Sequence, residues 1–471
     1  MSRKMYGFYI IIALMVIGST NKWLTFAAMG LAALAAVRIA LDNANEHDPV
    51  ICKGIILLLL LQNLSIGIGA HTFHNTDLSL QFISQIPFMC ITIIWITAYF
   101  TDGIHLEAPG IVFLIWVACF ALSALNGIGS IGAVAITVRN MTVFFMAYSI
   151  GRKSITSHDD VGGMIRFLAW CGILVTIAGI ILLIGGYDLY KMIGIHEVYI
   201  AKRSPFPPGE ITQRFLTALF TGRGLMRMGS VYYEPINMGY FLACCLLCCL
   251  FGNSWASTPK RIAADVIIGT GLILTFGKGA YLLSAAAVFC VFADTVFFRR
   301  STKKSSRIIL ILVMTAVVSV GMTIYMKFWG MAVWPHIWGI QGTLKTVRER
   351  PIGHGLGRGG NMAMVYGSNA DALLSSGQET ALMAIIYQTG IQGGIAFIAS
   401  LATISSVQRL TGKTIEKLFF YIPYALLVVC VFQENTFTPQ CVVPFMLMQG
   451  GVYSAALHAD KGIECSKGDM S

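Results

Sequence analysis

The feature that limits this chain most is a succession of apolar runs, each about 20 residues long, separated by short polar turns. They recur from Met5 to Leu457. A run of that length crosses the ~30 Å hydrocarbon core of a bilayer as a helix, because lipid offers no partner for an open backbone. Charge content agrees. Charged residues make up 12% of the chain and hydrophobic ones 56%, where a soluble domain carries about 25% charged residues. The expected fold is all-α, a polytopic integral membrane protein with about 14 transmembrane helices. Spans are expected near Met5–Ser19, Lys22–Leu41, Val50–Ala70, Phe82–Tyr99, Gly110–Leu125, Ile131–Gly151 and Gly163–Gly186. The others fall near Ile236–Phe251, Ile262–Phe276, Gly279–Phe298, Arg307–Met326, Ala381–Ser405, Lys417–Val431 and Pro439–Leu457. No segment is long and polar enough to fold alone, so residues 1–471 read as one membrane domain. The opening Met1-Ser-Arg-Lys-Met-Tyr6 leads into an apolar stretch as a signal peptide does. It lacks a convincing small-residue cleavage site and reads as a retained first span.

The net charge of +11 reports topology rather than a nucleic-acid partner. With the N-terminus inside, the basic clusters Arg3-Lys4, Arg152-Lys153, Lys260-Arg261, Arg299 to Lys304 with Arg307, and Arg409 to Lys417 all fall on the cytoplasmic side, as does the Lys461 tail. The intervening short loops, His71 to Gln81 and Gln433 to Gln440, contain no Lys or Arg. This is the positive-inside pattern, with both termini cytoplasmic. Two loops of about 50 residues, 187–234 and 327–380, fall on the opposite face and are net basic there. Long loops translocate whatever their charge, so the excess calls for another reason.

The first loop holds an irregular lead-in, Lys202 to Pro208, and then an expected interfacial helix, Gly209 to Phe220, with Ile211, Phe215, Leu219 and Phe220 near one face. It ends in Arg223-Gly-Leu-Met-Arg227-Met-Gly229 and Glu234-Pro235-Ile-Asn237-Met-Gly239. On a helix, Arg223 and Arg227 would share a face. The second loop holds Trp334-Pro-His-Ile-Trp338, suited to an interfacial anchor, then Arg348, Arg350 and Gly353-His-Gly-Leu-Gly-Arg-Gly-Gly360.

Arginine is always charged, and its planar fork matches phosphate oxygens. Arg223, Arg227, Arg348 and Arg350 are therefore candidates for a lipid pyrophosphate; solvated loop charge is the competing reading. Lys278, at an outer turn, is a further candidate. Glu379 and Glu234 each stand at the membrane edge immediately before or near a span, where partial desolvation suits general-base work. His336 and His354 are rivals, and a helix N-terminal acid held by the dipole is the plain reading of Glu379. Arg139 lies near the middle of a span, where an ionisable group is costly and marks either function or a structural pair. The glycine run after Arg350 follows no strand and faces away from cytosolic nucleotides, so it is not a nucleotide loop. The 12 cysteines lie almost entirely in apolar runs; Cys244-Cys-Leu-Leu-Cys-Cys249 has no His or carboxylate beside it and reads as packing. The sequence offers no metal constellation, and no cofactor is expected.

Three pieces of this sequence resemble the O-antigen polymerase and ligase superfamily, the Wzy-type polysaccharide polymerases and their ligase relatives. One is Arg227-Met-Gly229 with Glu234-Pro235-Ile-Asn237, similar to an Arg-x-x-Gly and Pro-Asn signature opening a span. Another is Thr275-Phe-Gly-Lys278-Gly-Ala280, where the family often has Ser-Arg-Gly. The third is Arg350-Pro-Ile-Gly-His-Gly-Leu-Gly357, then Gln378-Glu379 and Tyr387-Gln-Thr-Gly390-Ile-Gln-Gly393-Gly394. Together they cover roughly Arg227 to Ser400. Ile236 splits the Pro-Asn pair, and Lys278 replaces an arginine. Gln378-Glu379 stands where ligases commonly carry a histidine, which favours polymerase over ligase. The resemblance implies a GT-C-like membrane glycosyltransferase at the outer face of the bacterial inner membrane. Its substrates would be undecaprenyl-pyrophosphate-linked glycans, joined with inversion and without metal. Arg227 with Arg348 or Arg350 would neutralise the pyrophosphate and Glu379 would take the acceptor proton. Membrane lipids, a chain-length regulator and a flippase are the implied partners. A ligase acting on lipid A core and a lipid-linked oligosaccharide flippase are the alternatives.

Overall fold

The computed structural model describes residues 3–42, 47–77, 79–101, 107–201, 216–218, 224–252, 257–297, 307, 309–311, 313, 315, 334–361, 363 and 379–468. Among the described residues the fold is all-α apart from one two-stranded ribbon. The helices are α1 (Arg3–Gly18), α2 (Lys22–Asp42), α3 (Val50–Thr72), α4 (Ser79–Ile83), α5 (Ile86–Thr101), α6 (Ala108–Ser123), α7 (Ile131–Ser154) and α8 (His158–Met192). They continue with α9 (Ile195–Ala201), α10 (Pro235–Phe251), α11 (Thr258–Leu274), α12 (Lys278–Phe297), α13 (Trp334–Glu349), α14 (Ala381–Val407), α15 (Thr414–Cys430) and α16 (Pro439–Gly468). Among the described residues, 9 helical stretches are long and apolar enough to cross a membrane. Every span expected from the sequence coincides with a helix except Arg307–Met326, most of which lies outside the described residues.

Two compact units divide the chain. The first comprises Met1–Ile104, Val143–Tyr281 and Pro439–Ser471; the second comprises His105–Thr142 and Leu282–Thr438. In the first, helices approach closely where side chains are small. A Cβ on Gly151 would lie 2.0 Å from the Leu447 carbonyl oxygen, and one on Gly450 would lie 2.0 Å from that of Tyr148. Glycine at both contacts lets α7 and α16 meet backbone to backbone, the usual device of helix packing in lipid. In the second unit, α6 lies along α14. Trp116 packs tilted against Phe397, ring centroids 5.4 Å apart, and donates its indole N–H to the Met141 carbonyl, so its polar edge is satisfied inside an apolar contact.

Several local expectations are corrected. The stretch read as an interfacial helix contains β1 (Leu216–Ala218), paired antiparallel with β2 (Gly224–Met226). Arg227 therefore follows a strand, and it does not share a helical face with Arg223, which lies outside the described residues. The aromatic anchor at Trp334 opens α13, a helix where the sequence suggests a loop; Arg348 falls in its last turn, where the dipole favours a cation. The expected span Ala381–Ser405 is broken within α14, which loses helical geometry at Gly390 (φ 76°); α8 loses it at Gly186 (φ 66°), where the expected span ends.

Candidate functional site

The residues singled out by sequence divide between the two units. Arg227, Glu234 and Lys278 belong to the first; Arg139, His336, Arg348, Arg350, His354 and Glu379 belong to the second.

In the first unit, residues 228–235 are buried, although sequence alone placed them in a polar loop. Irregular backbone at membrane depth survives only when protein satisfies its polar groups, and here side chains do so. The Tyr190 hydroxyl accepts from the backbone N–H of Gly229 (3.2 Å) and of Ser230 (2.9 Å). Ser230 Oγ donates to the Val175 carbonyl, Asn63 Nδ2 to that of Tyr232, and the Tyr199 hydroxyl to that of Tyr233. The Tyr233 hydroxyl donates to the Ile193 carbonyl. Burial drives the Tyr233 phenol well above its ordinary pKa, so it stays a neutral donor.

This welded segment delivers Arg227 to the end of α11. Met228 N–H donates to the Leu274 carbonyl at 2.9 Å. Arg227 Nε donates to Thr275 O at 3.0 Å and Nη2 to Phe276 O at 3.5 Å. A helix C-terminus carries partial negative charge, so a guanidinium is stabilised there. These carbonyls take two of the five donors of the guanidinium. Beyond the turn, Lys278 is exposed at the first residue of α12. A cation at a helix N-terminus is disfavoured by the dipole, and the same end attracts anions. Arg227, the 275–277 turn and Lys278 thus share one end of the first unit.

Glu234 caps α10 with extended backbone and a Pro at the next position, but its side chain makes no cap bond. It is buried and accepts a long contact, 3.5 Å, from the Tyr199 hydroxyl. Asn237 is internal: its Nδ2 donates to Gln440 Oε1 at 2.6 Å, and Gln440 Nε2 reaches Gln62 Oε1 at 3.2 Å. That amide relay ties α10, α16 and α3 together, so Asn237 serves the scaffold.

In the second unit the glycine-rich loop docks onto the break in α14. His354 N–H donates to Tyr387 O and Gly355 N–H to Gln388 O, while Ile391 N–H donates to Pro351 O. Gly357 N–H donates to Gln388 Oε1 at 2.7 Å. The backbone groups released at Gly390 are thereby satisfied by the loop, as buried peptide groups must be. A Cβ on Gly353 would sit 2.4 Å from Gln388 O, and one on Gly355 2.1 Å from Gly127 O. On its other side the loop bridges Ile128 through Leu356. The His354 ring stacks on Tyr387 at 4.3 Å and 6°. Burial lowers its pKa, Arg350 and Arg358 lower it further, and Tyr387 and Glu349 oppose them; at neutral pH it is uncharged.

Beyond the glycines, Asn361 joins two carboxylates. Its backbone N–H donates to Glu434 Oε1 at 2.8 Å and its Nδ2 to Glu379 Oε1 at 3.2 Å. Glu379 holds left-handed backbone (φ 61°), a strained conformation for a non-glycine residue that is found most at functional sites. His336 Nδ1 lies 3.2 Å from the Glu379 carbonyl oxygen. Arg348 and Arg350 are exposed, as the solvated-charge reading expects. Arg139 is half-buried in α7 and its Nε donates to Asn140 Oδ1 at 3.1 Å. Among the described residues no group of three or more His, Cys, Asp or Glu side chains is placed to share a metal ion.

Sequence reasoning missed Glu434, Asn361 and Tyr190. Glu434 obeys the criterion that nominated Glu379 and Glu234, a carboxylate near a span boundary, but its loop was read only for its lack of Lys and Arg. Tyr190 gave no local signal, since its partners lie about 40 residues away.

No family model matches the chain, and no curated protein does.

Proposed function

We propose that the chain is a membrane glycosyltransferase that polymerises lipid-linked oligosaccharide repeat units at the outer face of the bacterial inner membrane. It would have about 14 spans and both termini in the cytoplasm. The donor is a glycan on undecaprenyl pyrophosphate. The acceptor hydroxyl of another lipid-linked unit attacks the anomeric carbon, and the pyrophosphate leaves. A pyrophosphate is a stable anion, so its departure asks for charge stabilisation more than for protonation. The candidate groups for that task are Arg227 and Lys278 at one end of the first unit or Arg348 and Arg350 of the second; Arg223 remains a candidate from sequence. The acceptor proton goes to a carboxylate of the second unit, where Glu379 is the residue the sequence nominates.

The observation that carries this reading is the docking of loop 350–357 on the break at Gly390. The two halves of the third motif, distant in sequence, are one hydrogen-bonded body, as a motif with a shared role requires. A broken span also suits a transporter, where half-helix ends coordinate the cargo. Here peptide groups of the loop occupy both ends of the break, which favours the transferase.

Deleting the gene and resolving surface polysaccharide on gels tests the proposal. A polymerase leaves a single repeat on the surface. Loss of all lipid A-linked glycan with polymer still made would establish a ligase instead. Arg227→Ala should lower polymer synthesis by about 10²–10³-fold, the size of one lost oxyanion-type contact, with protein levels kept. Long chains persisting in that variant would remove Arg227 from the mechanism.

A further inference from the structure

We infer that Glu434 is the general base of this transfer, touching the acceptor hydroxyl, and that Asn361 and Glu379 position it. The inference rests on the transferase reading above. A small half-open cavity of about 50 Å³ lies in the second unit, and Glu434 lines it whereas Glu379 does not. Its other polar lining comes from Asn140, Thr137 and Gln388, and aromatic rings come from Phe397 and Phe437. A few polar groups set among apolar and aromatic ones is the make-up of small-molecule sites. Carboxylate, amide, hydroxyl and ring face at its open side suit one hydroxyl-bearing edge of a polyhydroxylated ring such as a sugar.

Glu434 is held in place for such a role. It opens the short helix Glu434–Phe437. Its Oε1 accepts the Asn361 N–H, and a Cβ on Gly360 (φ 76°) would lie 2.4 Å from that oxygen. The carboxylate therefore occupies the space that a side chain at position 360 would fill. Glu379 reaches Asn361 from its side-chain amide. It fixes the residue that fixes Glu434, without lining the cavity.

In the step itself, the acceptor oxygen forms a bond to the anomeric carbon on the face opposite the leaving group. The bond from that carbon to the pyrophosphate oxygen breaks, and its electron pair leaves with undecaprenyl pyrophosphate. The hydroxyl proton passes to the Glu434 carboxylate and then to solvent.

The test uses the full chain in lipid nanodiscs. The probe is the lipid-linked repeat unit extracted from a strain lacking this gene, and initial rates are read from polymer ladders. Glu434→Gln keeps the oxygen that accepts from Asn361 but cannot take a proton; it should lose about 10²–10⁴-fold in kcat. Glu434→Asp restores a carboxylate and should regain at least about tenfold over Gln. If Glu434→Gln fails to fold, Glu434→Asp carries the test through a fall in kcat larger than any change in KM. Glu379→Gln keeps its acceptor oxygen and should stay within about tenfold of wild type, while Glu379→Ala falls further. A Glu434→Gln enzyme at wild-type rate would overturn the assignment. So would Glu379→Gln falling as far as Glu379→Ala in monodisperse protein, which would make Glu379 the base. Wild-type protein that makes no polymer from the probe would sink the transferase reading itself.

Discussion

Two irregular segments sit beside helix ends in this protein, and they are held by opposite means. Residues 228–235 in the first unit are fixed through side chains, Tyr190, Tyr199 and Asn63 from elsewhere in the unit and the segment's own Ser230. Residues 350–357 in the second unit are fixed mainly by backbone meeting backbone at Tyr387, Gln388 and Gly127. The first design tolerates a lost hydroxyl at the cost of one or two orphaned groups. The second tolerates almost no added atom, because the contact distance is set by the missing Cβ. The difference predicts where each unit breaks and by how much.

Gly355→Ala should be the most damaging substitution. Its φ is 100°, and the new Cβ would lie 2.1 Å from the Gly127 carbonyl oxygen. Backbone on both sides leaves no flexible side chain to yield. Left-handed strain and a backbone clash together should cost about 3 kcal/mol or more, read as a lowered unfolding midpoint in detergent. Undiminished stability would mean that the loop is not seated on Gly127.

Tyr190→Phe should cost less, about 1–3 kcal/mol, because it leaves the buried Gly229 and Ser230 N–H groups without their shared acceptor. The ring stays, so packing against Tyr233 at 6.3 Å is preserved. The same unfolding assay ranks the pair. A larger effect from Tyr190→Phe than from Gly355→Ala would invert the comparison, with the first segment then the more brittle of the two.

What sequence could reveal follows from the same contrast. Span positions were legible because lipid imposes a length and an apolarity on each helix, and Gly186 ended the expected seventh span where the helix breaks. The Gly353, Gly355 and Gly357 pattern was visible because close backbone approach leaves a mark in the residue type itself. What it approached, the Gly390 break, was not visible, since a glycine inside an apolar run also reads as packing. Arg227 stands out in the sequence by its charge, but the helix expected around it is a strand: the pairing with Leu216–Ala218 comes from a segment whose apolar residues also fit a helical face. Glu434 was passed over because a four-residue helix between two spans has no periodicity to read.

The smallest expected effect sharpens the second segment alone, through pH. The His354 pKa is lowered from 6.5 by burial first, then by Arg350 and Arg358. The folded protein therefore binds fewer protons than the unfolded chain between the lowered value and 6.5. Stability grows with pH wherever the unfolded state holds more protons. The contribution is fully present above pH about 6.5 and is lost as pH falls toward the lowered folded value. Unfolding midpoints measured from pH 7.5 down to 5, as a difference between wild type and His354→Gln, isolate this slope from other groups. The loss should be smaller than that from Tyr190→Phe, since solvent screens a half-buried ring. Arg350→Ala should shrink it further by removing one of the charges that hold the imidazole neutral. A slope of the opposite sign would place His354 beside net negative charge, and the loop could then not be packed against Tyr387 between two arginines.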